Sequence, residues 1–447
     1  MNILSLKRIP LYILLIFIAI SAQAGNGKDS IEKWSYHFQF TGIMQGHPAF
    51  SAPYSGKNSL SNEQENAFSV TSTLYLGRKL WKGASFYFNP EVAGGKGISS
   101  ATGIAGFTNG ECFRIGDPTP ALYVARAYLR QYIAIGKGGK DTMKADMNQL
   151  GGERVPSSCI AITAGKFSIA DMYDCNSYSH DPRTQFMNWA LMSNGAWDYP
   201  ANTRGYAYGI VIELLKPTWA IRVSETMLPE KANGNVMDQN VAKARGETIE
   251  LEKHFFINGR KGAVSVLAFR NLSRAGNYEN AIAKLYSGVD TSLNVNSDTV
   301  YGGQKYGFGI NIEQELTKDI SLFARASWND GKTASWVFTE IDQSASIGLT
   351  IAGRKWKRPN DIIGVAGVIN GISNEHWDFL SVGGYGFIIG DGRLRHYGSE
   401  NIGEVYYSIQ LNKSLWLTAD YQYVQNPAYN RERGPVSVWG VRGHVEF

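Results

Sequence analysis

Residues 32–41 read EKWSYHFQFT. Trp34, Tyr36, Phe38 and Phe40 alternate with Ser35, His37, Gln39 and Thr41. A period of two is the signature of a strand with unlike faces. Here one face is aromatic and the other polar. The signature recurs downstream. Phe68, Val70, Leu74 and Leu76 alternate with Ser69, Thr71, Thr73 and Tyr75, and Phe86 and Phe88 with Ser85, Tyr87, Asn89 and Glu91. Leu129 and Ile133 alternate with Arg126, Tyr128, Arg130 and Tyr132, and Tyr306, Phe308, Ile310 and Ile312 with Gly307, Gly309, Asn311 and Glu313. The pattern marks roughly 16 segments of the length of a tilted membrane strand. One of them is read as running over 335–351.

Composition agrees: the chain carries 24 Tyr, 20 Phe, 11 Trp and 49 Gly but only three Cys. Lys7 and Arg8 precede an apolar run over 11–20, and Ala22-Gln23-Ala24 fits a cleavage site. This predicts a secretion signal over 1–24 and a mature barrel domain over 25–447. Losing Lys7 and Arg8 takes two charges from a formal net charge of +5. The remaining excess is too small to argue for a nucleic-acid partner. No later segment approaches the ~18 consecutive apolar residues of a membrane helix. A bilayer leaves only helices or closed barrels, because every backbone N–H and C=O must pair within the protein. The expected fold is therefore all-β, a transmembrane antiparallel β-barrel of 16 strands. Cys112, Cys159 and Cys175 match no zinc spacing and allow at most one disulfide. No motif calls for a metal or a cofactor.

The connections sort by length. Long loops over 42–65, 93–120, 228–245, 272–304 and 371–399 alternate with short turns over 77–83, 216–217, 258–261, 318–319 and 412–413. Outer-membrane barrels have short periplasmic turns and longer extracellular loops. Two connections break the rule: 136–158 is long where a turn is expected, and 330–334 is short where a loop is expected. The last strand places Trp439, Val441, Val445 and Phe447 on one face, and its terminal aromatic resembles the assembly signal of bacterial outer-membrane proteins.

A barrel of about 16 strands encloses an aqueous channel. Charges within strands, namely Glu91, Arg126, Arg130, Glu213, Arg222, Glu313, Arg325 and Glu404, then line water instead of a dry core, where they would be costly. The stretch 177–208, SYSHDPRTQFMNWALMSNGAWDYPANTRGYAY, is the third long loop. Asp181 suits an N-cap, Pro182 the first helical position and Gly195 the C-terminal stop. This predicts a helix folded inward as a constriction, with Asp181 more a cap than a solute ligand. Its arms would present Arg183, Trp197, Asp198, Tyr199 and Arg204 to the channel. Trp197 and Tyr199 are sugar platforms or membrane-girdle aromatics, and position leaves both readings open. His180 beside Asp181 lacks a nucleophile elbow and reads as loop packing.

Several stretches resemble the OprB-type carbohydrate-selective porins. They are TSTLYLGRKLWKGASFYFNPEVAGGKG (71–97), GIAGFTNGE (103–111), ITAGKFSIADMYDCNSYSHDPRTQFMNWAL (162–191), GAWDYPANTRGYAYG (195–209), IIGVAGVINGIS (362–373) and DYQYVQNPAYNRERGPVSVWGVRGHVEF (420–447). The resemblance runs in order over nearly the whole mature chain. It implies an outer-membrane barrel of the 16-strand class that passes small carbohydrates by diffusion, and it accommodates the long 136–158 connection. It implies a narrow zone around Asp181, Arg183, Trp197, Asp198 and Arg204, joined by Glu91, Arg126 and Arg130. The expected partners are small carbohydrates, outer-membrane lipid, the barrel-assembly machinery and a second copy in a homo-oligomer. Two other classes stand beside this reading. A barrel enzyme of the lipid hydrolase class needs a Ser–His pair that the sequence does not supply. An adhesin or anchor barrel would conduct negligibly.

Overall fold

The computed structural model describes residues 31–114, 119–136, 139–144, 146–290, 293–296 and 300–447. The expected signal over 1–24 lies outside the described residues. The strands are β1 (Trp34–His47), β2 (Glu65–Trp81), β3 (Ala84–Gly95), β4 (Ala121–Ala134), β5 (Lys140–Thr142), β6 (Arg154–Pro156), β7 (Cys159–Phe167), β8 (Ala207–Lys216) and β9 (Trp219–Met227). They continue with β10 (Arg245–Ile257), β11 (Arg260–Ser273), β12 (Gly303–Glu315), β13 (Ile320–Asn329), β14 (Gln343–Gly353), β15 (Arg358–Gly371), β16 (Glu400–Asn412), β17 (Leu415–Gln425) and β18 (Val436–Glu446). All but β5 and β6 form one closed barrel of 16 antiparallel strands, each beside its sequence neighbour. β5 and β6 pair separately as a small hairpin.

Closure pairs β1 with β18, from Gln39 opposite Glu446 to Gly46 opposite Trp439. Phe447 extends the seam: the Phe38 N–H donates to its carbonyl at 2.8 Å, and its own N–H returns the bond at 3.0 Å. Alternation settles which face points outward. On β1 the apolar positions Trp34, Tyr36, Phe40 and Met44 are exposed outward, while Ser35, Gln39, Thr41 and Gln45 are buried inward. On β12, Tyr306 and Phe308 face out while Lys305 and Asn311 face in.

The long and short connections segregate to opposite ends. Turns over 82–83, 217–218, 258–259, 316–319, 354–357 and 413–414 share one end. Loops over 48–64, 96–120, 168–206, 228–244, 274–302, 330–342, 372–399 and 426–435 share the other. The expected short 330–334 connection is corrected to a loop over 330–342. Residues 335–342 read as strand because they include Trp336, Val337, Phe338 and Ile341, but these side chains are buried by packing, and β14 begins at Gln343. The long 135–158 connection stays at the short-turn end and carries the β5–β6 hairpin.

The lumen is unequally filled. The loops over 96–120, 168–206, 330–342 and 372–399 pack as one apolar cluster that includes Phe107, Phe186, Trp189, Trp197, Trp336 and Phe379. This cluster also takes in inward residues of the wall, such as Phe323, Ala366, Ile402, Tyr406 and Val438 from β13–β18. The open passage is left on the side of β2–β9.

Candidate functional site

The 168–206 loop is held by charges that the wall supplies. Glu404 on β16 accepts from the Met187 and Asn188 N–H groups at 2.6 and 3.0 Å. Arg325 on β13 donates to the carbonyls of Leu191 and Ser179 at 2.7 and 2.6 Å. Asp174 accepts from Arg325 at 3.1 Å, Ser193 Oγ at 2.8 Å and the Asn194 N–H at 2.6 Å. Glu313 accepts from Ser177 N–H and Oγ. Arg325 and Glu404 therefore do not line water as expected. They lie beneath the loop and are satisfied by its backbone.

The predicted helix from Pro182 to Gly195 is also corrected. Asp181 accepts from the Arg183 N–H at 2.9 Å, but only a turn follows. The helix is a single turn, α1 (Trp189–Met192), capped by Asn188, whose side chain accepts from the Ala190 N–H at 2.9 Å. The turn stops early because the Met187 and Asn188 N–H groups, which a helix would bond to carbonyls four residues back, go to Glu404 instead; Gln185 Oε1 accepts from the His180 and Asp181 N–H groups. Gly195 is required for proximity, since a Cβ there would lie 2.7 Å from Ser344 Oγ on the wall.

Arg183 projects from this turn across the passage. Its Nε donates to Glu111 at 2.9 Å, Nη1 to the Tyr75 hydroxyl at 3.0 Å and Nη2 to Glu91 at 3.3 Å. Burial opposes its charge, but Glu111, Tyr75 and Glu91 outweigh it and hold the guanidinium well above its ordinary pKa. Glu91 also accepts from Thr73 Oγ1, from the Tyr206 hydroxyl at 3.3 Å and from Tyr123. Burial and then Glu91 push the Tyr206 phenol up, so it stays a neutral donor.

Below this ring, Arg126 makes a bidentate pair with Asp171 at 2.6 and 2.5 Å, while its Nη1 has no protein partner. Arg130 bonds Glu213 at 2.7 Å, the Tyr132 hydroxyl at 2.8 Å and Thr163 at 2.9 Å. Arg222 bridges Glu213, Glu250 and Glu252. Arg204 lies toward the loop end, its guanidinium 4.0 Å above the Tyr123 ring and 5.0 Å from Phe113. Such stacking is favourable for a cation over an aromatic face.

Together these groups line a cavity of about 820 Å³. Among the described residues, six arginines, seven carboxylates and six tyrosines line it, so fixed charge nearly cancels while aromatic faces remain. Of the expected site residues, Asp181, Arg183, Tyr199, Arg204, Glu91, Arg126 and Arg130 line this cavity. Trp197 and Asp198 do not. Trp197 is fully buried against Tyr173 and Tyr199. Asp198 accepts from the N–H groups of Trp336, Val337 and Phe338 at 2.8, 2.7 and 3.0 Å. It tethers the 330–342 loop because a buried carboxylate needs donors and three free amides meet it there. Sequence reasoning passed over Tyr75, Tyr123, Tyr206, Glu111 and Asp171. Tyr75 carried a signal, a phenol on the polar face of a dyad strand.

His180 is buried, and burial followed by Arg325 holds it below its ordinary pKa. Cys112, Cys159 and Cys175 are all free thiols.

A closed 16-strand barrel with an apolar outer face and a charged, aromatic passage is a pore-forming barrel, a porin. The model of the carbohydrate-selective porin family, OprB, matches residues 57–447, and the chain belongs to that family. Membership makes it an outer-membrane channel for carbohydrates. No curated protein matches at the sequence level. The fold is similar to the high-pH structure of Pseudomonas putida OprB, with TM-score 0.69 and 15% identity over 93% of this chain and 94% of that one. The low-pH structure of the same protein gives TM-score 0.50 and 13% identity over 93% of each chain.

Proposed function

We propose that the protein passes small neutral sugars into the periplasm by passive diffusion, with selection at the Arg183 ring. The observation that carries this is the near-cancellation of charge around tyrosine faces. A neutral polyhydroxyl solute exchanges hydrogen bonds with guanidinium, carboxylate and phenol groups, and its apolar ring face rests on an aromatic. An ion meets opposed charges and gains little from either. Contacts of this kind are weak and repeated, which favours exit as much as entry.

Export would use the 1–24 segment, outer-membrane lipid would cover the aromatic outer band, and the barrel-assembly machinery would insert the chain. A homo-oligomer is read by crosslinking in native membranes. Liposome swelling with purified protein tests the central claim. Glucose should enter faster than gluconate or glucosamine of similar size, and equal rates for all three would remove sugar selectivity.

A further inference from the structure

The connection over 135–158 joins β4 to β7 at the end where other neighbours need only two to four residues. Ordering so long a segment costs conformational entropy, and packing must offset it. The contacts lie inside the barrel. Leu150 is 1% exposed, and a Cβ on the inward-facing Gly77 of β2 would lie 3.3 Å from its Cδ2. Glu153 pairs with Lys79 at 2.9 Å. The Gly151 N–H donates to the Glu32 carboxylate at 2.8 Å, and Glu32 N–H donates to the Gly151 carbonyl at 3.1 Å. Asn89 on β3, fully buried and inward-facing, donates to Asn148 Oδ1 at 3.0 Å. The tip is closed by reciprocal backbone bonds between Asp146 and Gln149. The segment thus turns up into the lumen, where Met143, Met147, Asn148 and Gln149 line the same cavity as Arg183.

We infer that this insertion is a second selecting surface at the periplasmic exit, one that limits the size of neutral saccharides leaving the pore. The inference rests on the porin reading above. Amide side chains donate to and accept from hydroxyls, thioethers offer adaptable apolar contact, and of the tip residues that line the cavity only Asp146 is charged. Discrimination here is by bulk and hydrogen bonding, whereas the Arg183 ring discriminates by charge.

The test replaces residues 143–149 with Gly-Ser-Gly in the full chain. Planar-bilayer conductance and liposome swelling with glucose and raffinose are then compared with wild type. Conductance should rise about twofold and the raffinose-to-glucose rate ratio several-fold, with the glucose-over-gluconate preference retained. Conductance and size limit both equal to wild type would overturn the inference. A milder variant guards against misfolding. Met147→Cys, in a chain with Cys112→Ala and Cys175→Ser because both thiols also line the cavity, is treated with a cationic thiol reagent. Labelling should lower conductance, and a labelled pore with unchanged conductance overturns the inference equally. A wild-type protein that does not conduct at all removes the porin reading itself, an outcome separate from both.

Discussion

Replacing Arg183 by Ala tests the selecting ring directly. One guanidinium there stands among two carboxylates, Glu91 and Glu111, and the Tyr75 hydroxyl. Without it the two carboxylates face the passage unopposed. A unit charge ~4 Å from a permeating ion is worth ~1 kcal/mol in water. Its removal lowers the energy of a cation and raises that of an anion, so their permeability ratio shifts by ~2 kcal/mol, roughly 25-fold. In 0.1 M salt, with a Debye length of ~10 Å, screening trims this to roughly tenfold. The loop should stay in place, because its anchors are Glu404, Arg325 and Asp174. The assay is reversal potential across a KCl gradient. Arg183→Ala should move it toward the potassium potential, and Arg183→Lys should leave it near wild type. A folded Arg183→Ala barrel with the wild-type reversal potential would refute the reasoning.

Glu404→Ala strands two buried N–H groups at a cost of about 1–3 kcal/mol each, and should give noisy conductance with protease cleavage inside 168–206 of the intact barrel. Asp198→Ala removes the acceptor of three amides and should open the 330–342 loop to limited proteolysis while leaving the reversal potential unchanged, the opposite pattern to Arg183→Ala. Asp342 sits where that loop meets helix α2 (Asn374–Ser381), bonded to His376 at 2.9 Å and Lys305 at 3.4 Å. Burial opposes its charge, but Lys305 and His376 prevail and hold it below the ordinary 3.8. A depressed carboxylate contributes its stability in full above the unfolded value and loses it as pH falls through the folded one. The stability difference between wild type and Asp342→Asn, read by near-UV circular dichroism during chemical denaturation, should therefore be constant from pH 7 to about 4 and shrink only below.

The barrel was legible because lipid imposes a strict demand. Each strand needs an apolar outer face, and the period of two that Trp34, Tyr36 and Phe40 announce repeats from strand to strand. The 335–342 segment misled because burial selects apolar residues whether a segment pairs as strand or packs as loop. Asp181 misled because its capping chemistry is genuine, but Glu404 on the wall claims the Met187 and Asn188 N–H groups before a helix can propagate. The strand charges were correctly placed indoors. Periodicity reports only which way a side chain points, so it could not separate Arg130, which lines the passage, from Arg325, which grips a loop. That distinction depends on where residues 168–206 settle, a contact between positions more than a hundred residues apart.

The grip of buried charges on the loops has a consequence for sequence change. Glu404, Arg325, Glu400 and Asp198 hold main-chain N–H and C=O groups, at Met187, Leu191, Ala105 and Trp336 respectively. Peptide groups are common to nearly every amino acid, so these clamps do not read the identity of the residues they hold. Side chains that project into the passage are free to drift while the loop keeps its seat. A lineage can thus retune what the channel admits by single substitutions, without relearning how to fold.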